Sequence, residues 1–157
     1  MIQIDLQHEQ VQASHVPDVD RMRHAAVVMN EVLVSENNPP AQGEVAVLLC
    51  DEATSRALNG QWRQRDYATN VLSFPADLDV PAAGVLLLGD LAICTAVVQA
   101  ESESQKKAYE DHFVHLFVHG LLHLLGFDHA TDDEAQVMEA LEVRVLAQLN
   151  IKDPYEL

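Results

Sequence analysis

Positive charge is scarce in this chain. Nine Lys and Arg face 25 Asp and Glu over 157 residues, a formal net charge of −16 at pH 7. So acidic a surface excludes wholesale adhesion to nucleic acid through bulk electrostatics, while a local basic cleft stays open. The imbalance is uniform: residues 1–100 and 101–157 each net −8, so no acidic tail conceals a basic body. Cysteine is nearly absent. Cys50 and Cys94 stand alone in the apolar runs VAVLLC and LAIC, where they read as buried reduced thiols and leave no CxxC metal site or disulfide framework. Long apolar runs are missing as well. The most apolar stretch, VPAAGVLLLGDLAICTAVV, is broken by Asp90 and by glycines, short of the ~18 uninterrupted residues of a spanning helix. The opening MIQIDLQHEQ has neither a basic n-region nor an apolar h-region, so it does not read as a secretory leader. The expectation is a soluble, cytoplasmic protein without a membrane partner.

What is present is globular composition, 48% apolar and 22% charged. The length suits one domain with a real core, 1–157. No repeat or low-complexity segment interrupts it. Ile2, Ile4 and Leu6 alternate as a strand does, and residues 18–34 carry helical spacing. SENNPPAQG at 35–43 is a loop, and EVAVLLC at 44–50 a short buried strand. Asp51 can cap a helix over about 51–61. Further strands are expected at 71–74, stopped by Pro75, and at 85–94, with a loop at 76–83 between them. Helices are expected at about 95–105 and 108–125, the second ended by Gly126. Thr131 to Glu134 form a capping box that opens a last helix to about 148. Strands and helices interleave, so the fold class is α/β, bordering on α+β. About four strands should form a mostly parallel central sheet flanked by helices.

The sharpest pattern is His-Gly-Leu-Leu-His-Leu-Leu-Gly-Phe-Asp-His at 119–129. Residues four apart share one helix face, so His119 and His123 aim at one point. Gly126 permits a sharp turn that brings His129 back over it. Three imidazoles and an open position make a usual catalytic zinc arrangement, whereas structural sites prefer four ligands and usually include Cys. Asp128 can support the last ligand. At about 100° per residue, 112, 115, 119 and 123 fall within about 80° of one another. His115, one turn before the first ligand, is thereby a candidate supporting group or proton shuttle. His8, His15 and His24 carry no pattern.

The spacing H-x-x-x-H-x-x-G-x-x-H also belongs to metzincin proteases, which need Glu directly after the first His. Here that position is Gly120. Losing the base removes of order 10²–10⁴-fold of catalysis, which weakens the metallopeptidase reading. A second stretch, RALNGQWRQRDYATNVLSFP at 56–75, reverses the local charge: Arg56, Arg63 and Arg65 face Asp66 alone. Arginine forks suit phosphate, and Trp62, Tyr67 and Phe74 can stack on bases. Beside a metal site, such a window favours phosphoryl chemistry.

Three blocks carry a resemblance: LNGQWRQRDYATNVLSFP at 58–75, LLGDLAICTAVVQAE at 87–101 and HFVHLFVHGLLHLLGFDH at 112–129. With these the chain resembles the YbeY family of bacterial metal-dependent endoribonucleases, which act in ribosomal RNA maturation and ribosome quality control. The resemblance covers about 44–155. It implies a small α/β domain with the metal in a cleft, Zn²⁺ held by His119, His123 and His129, and catalytic roles for Arg63 and His119. It implies ribosomal RNA and the small ribosomal subunit as partners, and no organic cofactor. The family's usual proline before Thr69 is Ala68 here. Arg65, Asn70 and Ser73 are further candidates for positioning the substrate strand. A metallopeptidase-like hydrolase and a non-enzymatic assembly factor stapled by its metal are the alternatives.

Overall fold

The computed structural model describes residues 1–8, 10–76 and 86–156. Among these, four strands and five α-helices follow one another along the chain, alternating up to β3. They are β1 (Ile2–His8), α1 (Val19–Ser35), β2 (Gly43–Cys50), α2 (Glu52–Arg63), β3 (Val71–Pro75), β4 (Leu87–Cys94), α3 (Thr95–Ser104), α4 (Tyr109–Leu124) and α5 (Asp132–Gln148). The expected elements all form, with ends shifted by one or two residues. The expected loop from residue 77 onward, and residue 85 at the expected start of the fourth strand, lie outside the described residues.

The sheet runs in the order β1-β2-β4-β3. β1, β2 and β4 are parallel, whereas edge strand β3 is antiparallel to β4. The reason is the length of the connection: helical crossovers separate the parallel neighbours, while only the short stretch 76–86 lies between β3 and β4 along the chain. A short connection suits an antiparallel pair. Along β2, Val45, Val47 and Leu49 point to one face and Ala46 and Leu48 to the other, as the pleat requires. The first face is dry. It joins Leu91 and Ile93 of β4 to Met22 and Met29 of α1, Phe113 and Phe117 of α4, and Met138 and Leu146 of α5 in one core cluster. The opposite face receives α2, whose own buried side chains are both polar, Ser55 and Asn59.

Local chemistry sets the helix ends that matter for function. The Asp51 carboxylate accepts from the Thr54 amide at 2.8 Å, opening α2. The Thr131 hydroxyl accepts from the Glu134 amide at 3.2 Å, opening α5. α4 ends in a Schellman turn: the Phe127 amide donates to the Leu122 carbonyl and the Gly126 amide to that of His123, both at 3.0 Å. Gly126 sits at φ +100°, where a side chain is strained whatever space surrounds it. Gly126→Ala is expected to cost about 1–2 kcal/mol from the backbone alone. The check is thermal unfolding, with Tm lowered by about 2–8 °C.

Gly120 has a different function in packing. A Cβ there would meet Leu91 Cδ2 at 2.9 Å and Val71 Cγ2 at 3.3 Å. Its bare backbone lets α4 press against β3, and the Ser73 hydroxyl donates to the Gly120 carbonyl at 3.4 Å. This contact brings the histidine face of α4 next to the edge strand.

Candidate metal centre and its cleft

The last turns of α4 place His119 and His123 on one face, and the Schellman turn carries His129 back to them. One ligand atom from each of the three rings falls within 4.8 Å of the others, so these three histidines can hold a metal ion. Their tautomers follow from their partners. His119 Nδ1 lies 2.8 Å from the Glu142 carboxylate, which can only accept, so Nδ1 carries the proton. His123 Nδ1 lies 3.0 Å from the Phe127 carbonyl, again an acceptor. Each ring therefore turns an unprotonated Nε2 inward, and the two Nε2 atoms stand 3.1 Å apart. Two lone pairs facing each other at that distance repel unless a cation or proton lies between them. The donor set fits a borderline-soft divalent metal. Burial lowers the pKa of His123, and its neighbours His119 and His129 lower it further, which favours the neutral, ligating form.

Glu142 was not legible as part of this site. It is 0% exposed and belongs to α5, yet it gathers three donors. Oε1 accepts from His119 Nδ1 and, at 3.1 Å, from His115 Nε2, and Oε2 accepts from the Tyr155 hydroxyl at 2.8 Å. Burial alone would raise its pKa. The hydrogen bonds and charge of His115 and His119 outweigh burial and hold the carboxyl at about 2. One signal was available in the sequence. Glu142 stands on the apolar stripe of α5 among Met138, Leu141, Val145 and Leu146, where an acid needs a partner.

The histidines open onto a cleft of about 590 Å³ whose far wall is β3 and Arg63. Arg63 ends α2. One Nη donates to the Ser73 carbonyl at 2.6 Å, and its guanidinium carbon lies 5.7 Å from the centroid of the Phe74 ring. Among the described residues it forms no ion pair and no side-chain hydrogen bond besides the one to Ser73. The loop that aims it is tied to α2. The Ser55 hydroxyl donates to the Thr69 carbonyl and accepts from its amide, both at 3.0 Å, and the Asn59 amide donates to the Tyr67 carbonyl at 2.8 Å.

The remaining candidates divide. Asn70, Ser73 and Asp128 line the cleft. Asn70 is committed to structure there: it donates to Glu101, which also pairs with His112 Nε2 at 2.9 Å, and it accepts from the Val71 amide. Asp128 accepts from the His129 amide at 2.7 Å and so fixes the turn that carries the last imidazole. His115 lies behind His119, against Glu142 and the Tyr155 ring, and does not line the cleft. Arg65 is not brought to the cleft either; it donates to the Tyr67 hydroxyl at 3.0 Å. The cause is Gln64, at φ +58°, which ends α2 and sends the two arginines apart. Arg56 is paired with Asp66 at 2.6 Å.

The profile of the family described as endoribonuclease YbeY matches residues 4–150, from the first strand to the end of the last helix and therefore across the whole cleft. The chain belongs to the YbeY family. Among YbeY relatives, the protein named endoribonuclease YbeY from Pseudomonas fluorescens is 55% identical over 115 residues, covering 73% of this chain and 76% of its own. That from Pseudomonas syringae pv. syringae is 43% identical over 155 residues, 99% of this chain and 89% of its own. The YbeY chain also shares its fold with the solution structure of TM1509 from Thermotoga maritima, with a TM-score of 0.57, 22% identity and full coverage of both chains. In this YbeY chain the position that a metzincin fills with its glutamate is Gly120, which carries no carboxylate and is packed against the Leu91 and Val71 side chains. No described helix is long and apolar enough to cross a membrane.

Proposed function

We infer that this chain is a zinc-dependent endoribonuclease that cuts single-stranded segments of ribosomal RNA during maturation and quality control of the small ribosomal subunit, in the cytoplasm. One observation carries the reading: three converging imidazoles and an arginine that forms no ion pair among the described residues share the walls of a single cleft. Family membership supports it, since the relatives are named endoribonucleases.

His119, His123 and His129 would hold the metal. Bound there, zinc would supply a Lewis acid and a coordinated water of lowered pKa. The other steps belong to the chain. Arg63, steadied by the Ser73 carbonyl and the Phe74 ring, presents its free N–H donors to a phosphodiester and offsets the negative charge that develops on it. Glu142 holds His119 in the ligating tautomer, and Asp128 holds the turn bearing His129. Asn70, through Glu101, fixes the entry of β3 and with it the distance between Arg63 and the histidines.

Glu142→Gln keeps the shape but removes the carboxylate that fixes His119. Metal affinity is expected to fall about 10- to 100-fold, as read by competition with a chromophoric chelator. An affinity equal to wild type would contradict the role given to Glu142. The function itself is tested by offering purified protein a single-stranded ribosomal RNA fragment, the same segment as a duplex, and an unstructured protein such as casein. Only the single strand should be cut, and a chelator should stop it. Chelator-sensitive cleavage of casein with intact RNA would replace this reading with a peptidase.

A further inference from the structure

Edge strand β3 separates two clefts. Val71 and Ser73 look toward the histidines, whereas Phe74 looks the other way, into a slot of about 700 Å³ on the half-covered face of the sheet. The floor of this slot is Leu48 of β2 with Ala92 and Asp90 of β4, and its wall is Trp62 and Phe74. Trp62 is 60% exposed, an unusual position for the largest apolar side chain in the molecule. Its ring stands edge-on to Phe74, with centroids 6.2 Å apart and planes at 67°. Arg63 lines both clefts and lies over the Phe74 ring, so its cation straddles the edge of the sheet between them.

We propose that this slot binds a nucleobase of single-stranded RNA, stacked on Trp62 beside Phe74, from the nucleotide adjoining the phosphate held by Arg63. The inference rests on the endoribonuclease reading and adds a second subsite to it. The chemistry of the walls decides which end of a nucleotide enters. An apolar floor and an aromatic wall suit a flat π-surface. The exposed Asp90 carboxylate repels a phosphate and accepts hydrogen bonds from the amino edge of a base. The phosphate therefore stays with Arg63 on the rim. A duplex keeps its bases stacked on one another and cannot fill the slot without opening, so the slot accounts for a preference for single strands.

Trp62 is the single tryptophan of the chain, so its fluorescence reports the slot directly. The metal-loaded full-length protein is titrated with a short single-stranded 2′-O-methyl oligoribonucleotide, whose integrity is checked on a gel. Cleavage of the unmodified strand is scored in parallel. Wild type should show saturable quenching of Trp62. Trp62→Ala should bind the strand about 5- to 150-fold more weakly by anisotropy, with Trp62→Phe recovering most of the loss. Because Trp62 is exposed, both variants are expected to fold, and far-UV circular dichroism checks this. If the strand binds and is cut while Trp62 emission stays unchanged and Trp62→Ala binds as wild type does, the slot assignment is wrong and the endoribonuclease reading stands. If wild type neither binds nor cuts, both fall. If Trp62 emission follows protein concentration instead, and Trp62→Ala abolishes a dimer on gel filtration, the slot is a self-association surface and the proposal is overturned.

Discussion

Replacing His123 by alanine is expected to yield a folded protein that neither holds metal nor cuts RNA. His123 contributes one of the two inward-facing Nε2 atoms, 3.1 Å from its partner on His119. With it gone, His119 and the 55%-exposed His129 side chain are left as a two-ligand site at the open end of the cleft. A metal ion in such a centre is worth several kcal/mol of transition-state stabilisation, so cleavage should fall by about 10³-fold or more. Metal content by elemental analysis should drop from about one per chain to background. The fold should survive. The core is built from the sheet, α1, α4 and α5 through residues such as Phe113, Phe117 and Leu146, and none of the three histidines belongs to it. Near-wild-type circular dichroism and a clear melting transition are therefore expected. Collapse of the fold on loss of His123, with RNA untouched by wild type, would instead make the metal a staple and the protein an assembly factor.

Arg63→Ala should separate binding of metal from chemistry. The side chain donates to the Ser73 carbonyl and lies over Phe74, and it touches none of the three histidines. Metal content should stay at the wild-type level. Cleavage should fall about 10²–10³-fold, the usual cost of removing one donor from a developing anion. Arg63→Lys retains charge but loses the fork that serves Ser73 and a phosphate together, so it should restore only part of the loss. A variant that lost metal as well would show that Arg63 supports the centre structurally. One that cut at the wild-type rate would remove the arginine from the chemistry.

The two effects differ in how well the sequence revealed their source. The histidine motif was legible because its geometry is local. A helical repeat of four and a glycine suited to positive φ suffice to predict that three rings meet. Arg63 was legible as one of three arginines, through the reversal of charge in an acidic chain. Charge alone did not single out Arg63, which only the family resemblance named, because facing the cleft depends on the left-handed residue Gln64 and on the Ser55 and Asn59 tethers, which separate Arg63 from Arg65. Glu142 and Tyr155 escaped notice for a different reason. Glu142 reaches His119 from 23 positions away along the chain and Tyr155 in turn donates to Glu142, and only the packing of α5 against α4 brings the carboxylate to the imidazole. Long-range pairs of this kind leave no periodicity in the sequence. The parallel part of the sheet followed from alternating strands and helices, while the reversed direction of β3 goes with the short stretch of chain, residues 76–86, between it and β4.

The most direct test of the account is a zinc titration of metal-stripped wild-type protein, scored by cleavage of a single-stranded ribosomal RNA fragment. Stripped protein should be folded and inactive. Activity should rise linearly with added zinc and break at about one equivalent per chain. Full cleavage by folded protein that contains no metal, or none after one equivalent of zinc has bound, would contradict a catalytic centre built on His119, His123 and His129.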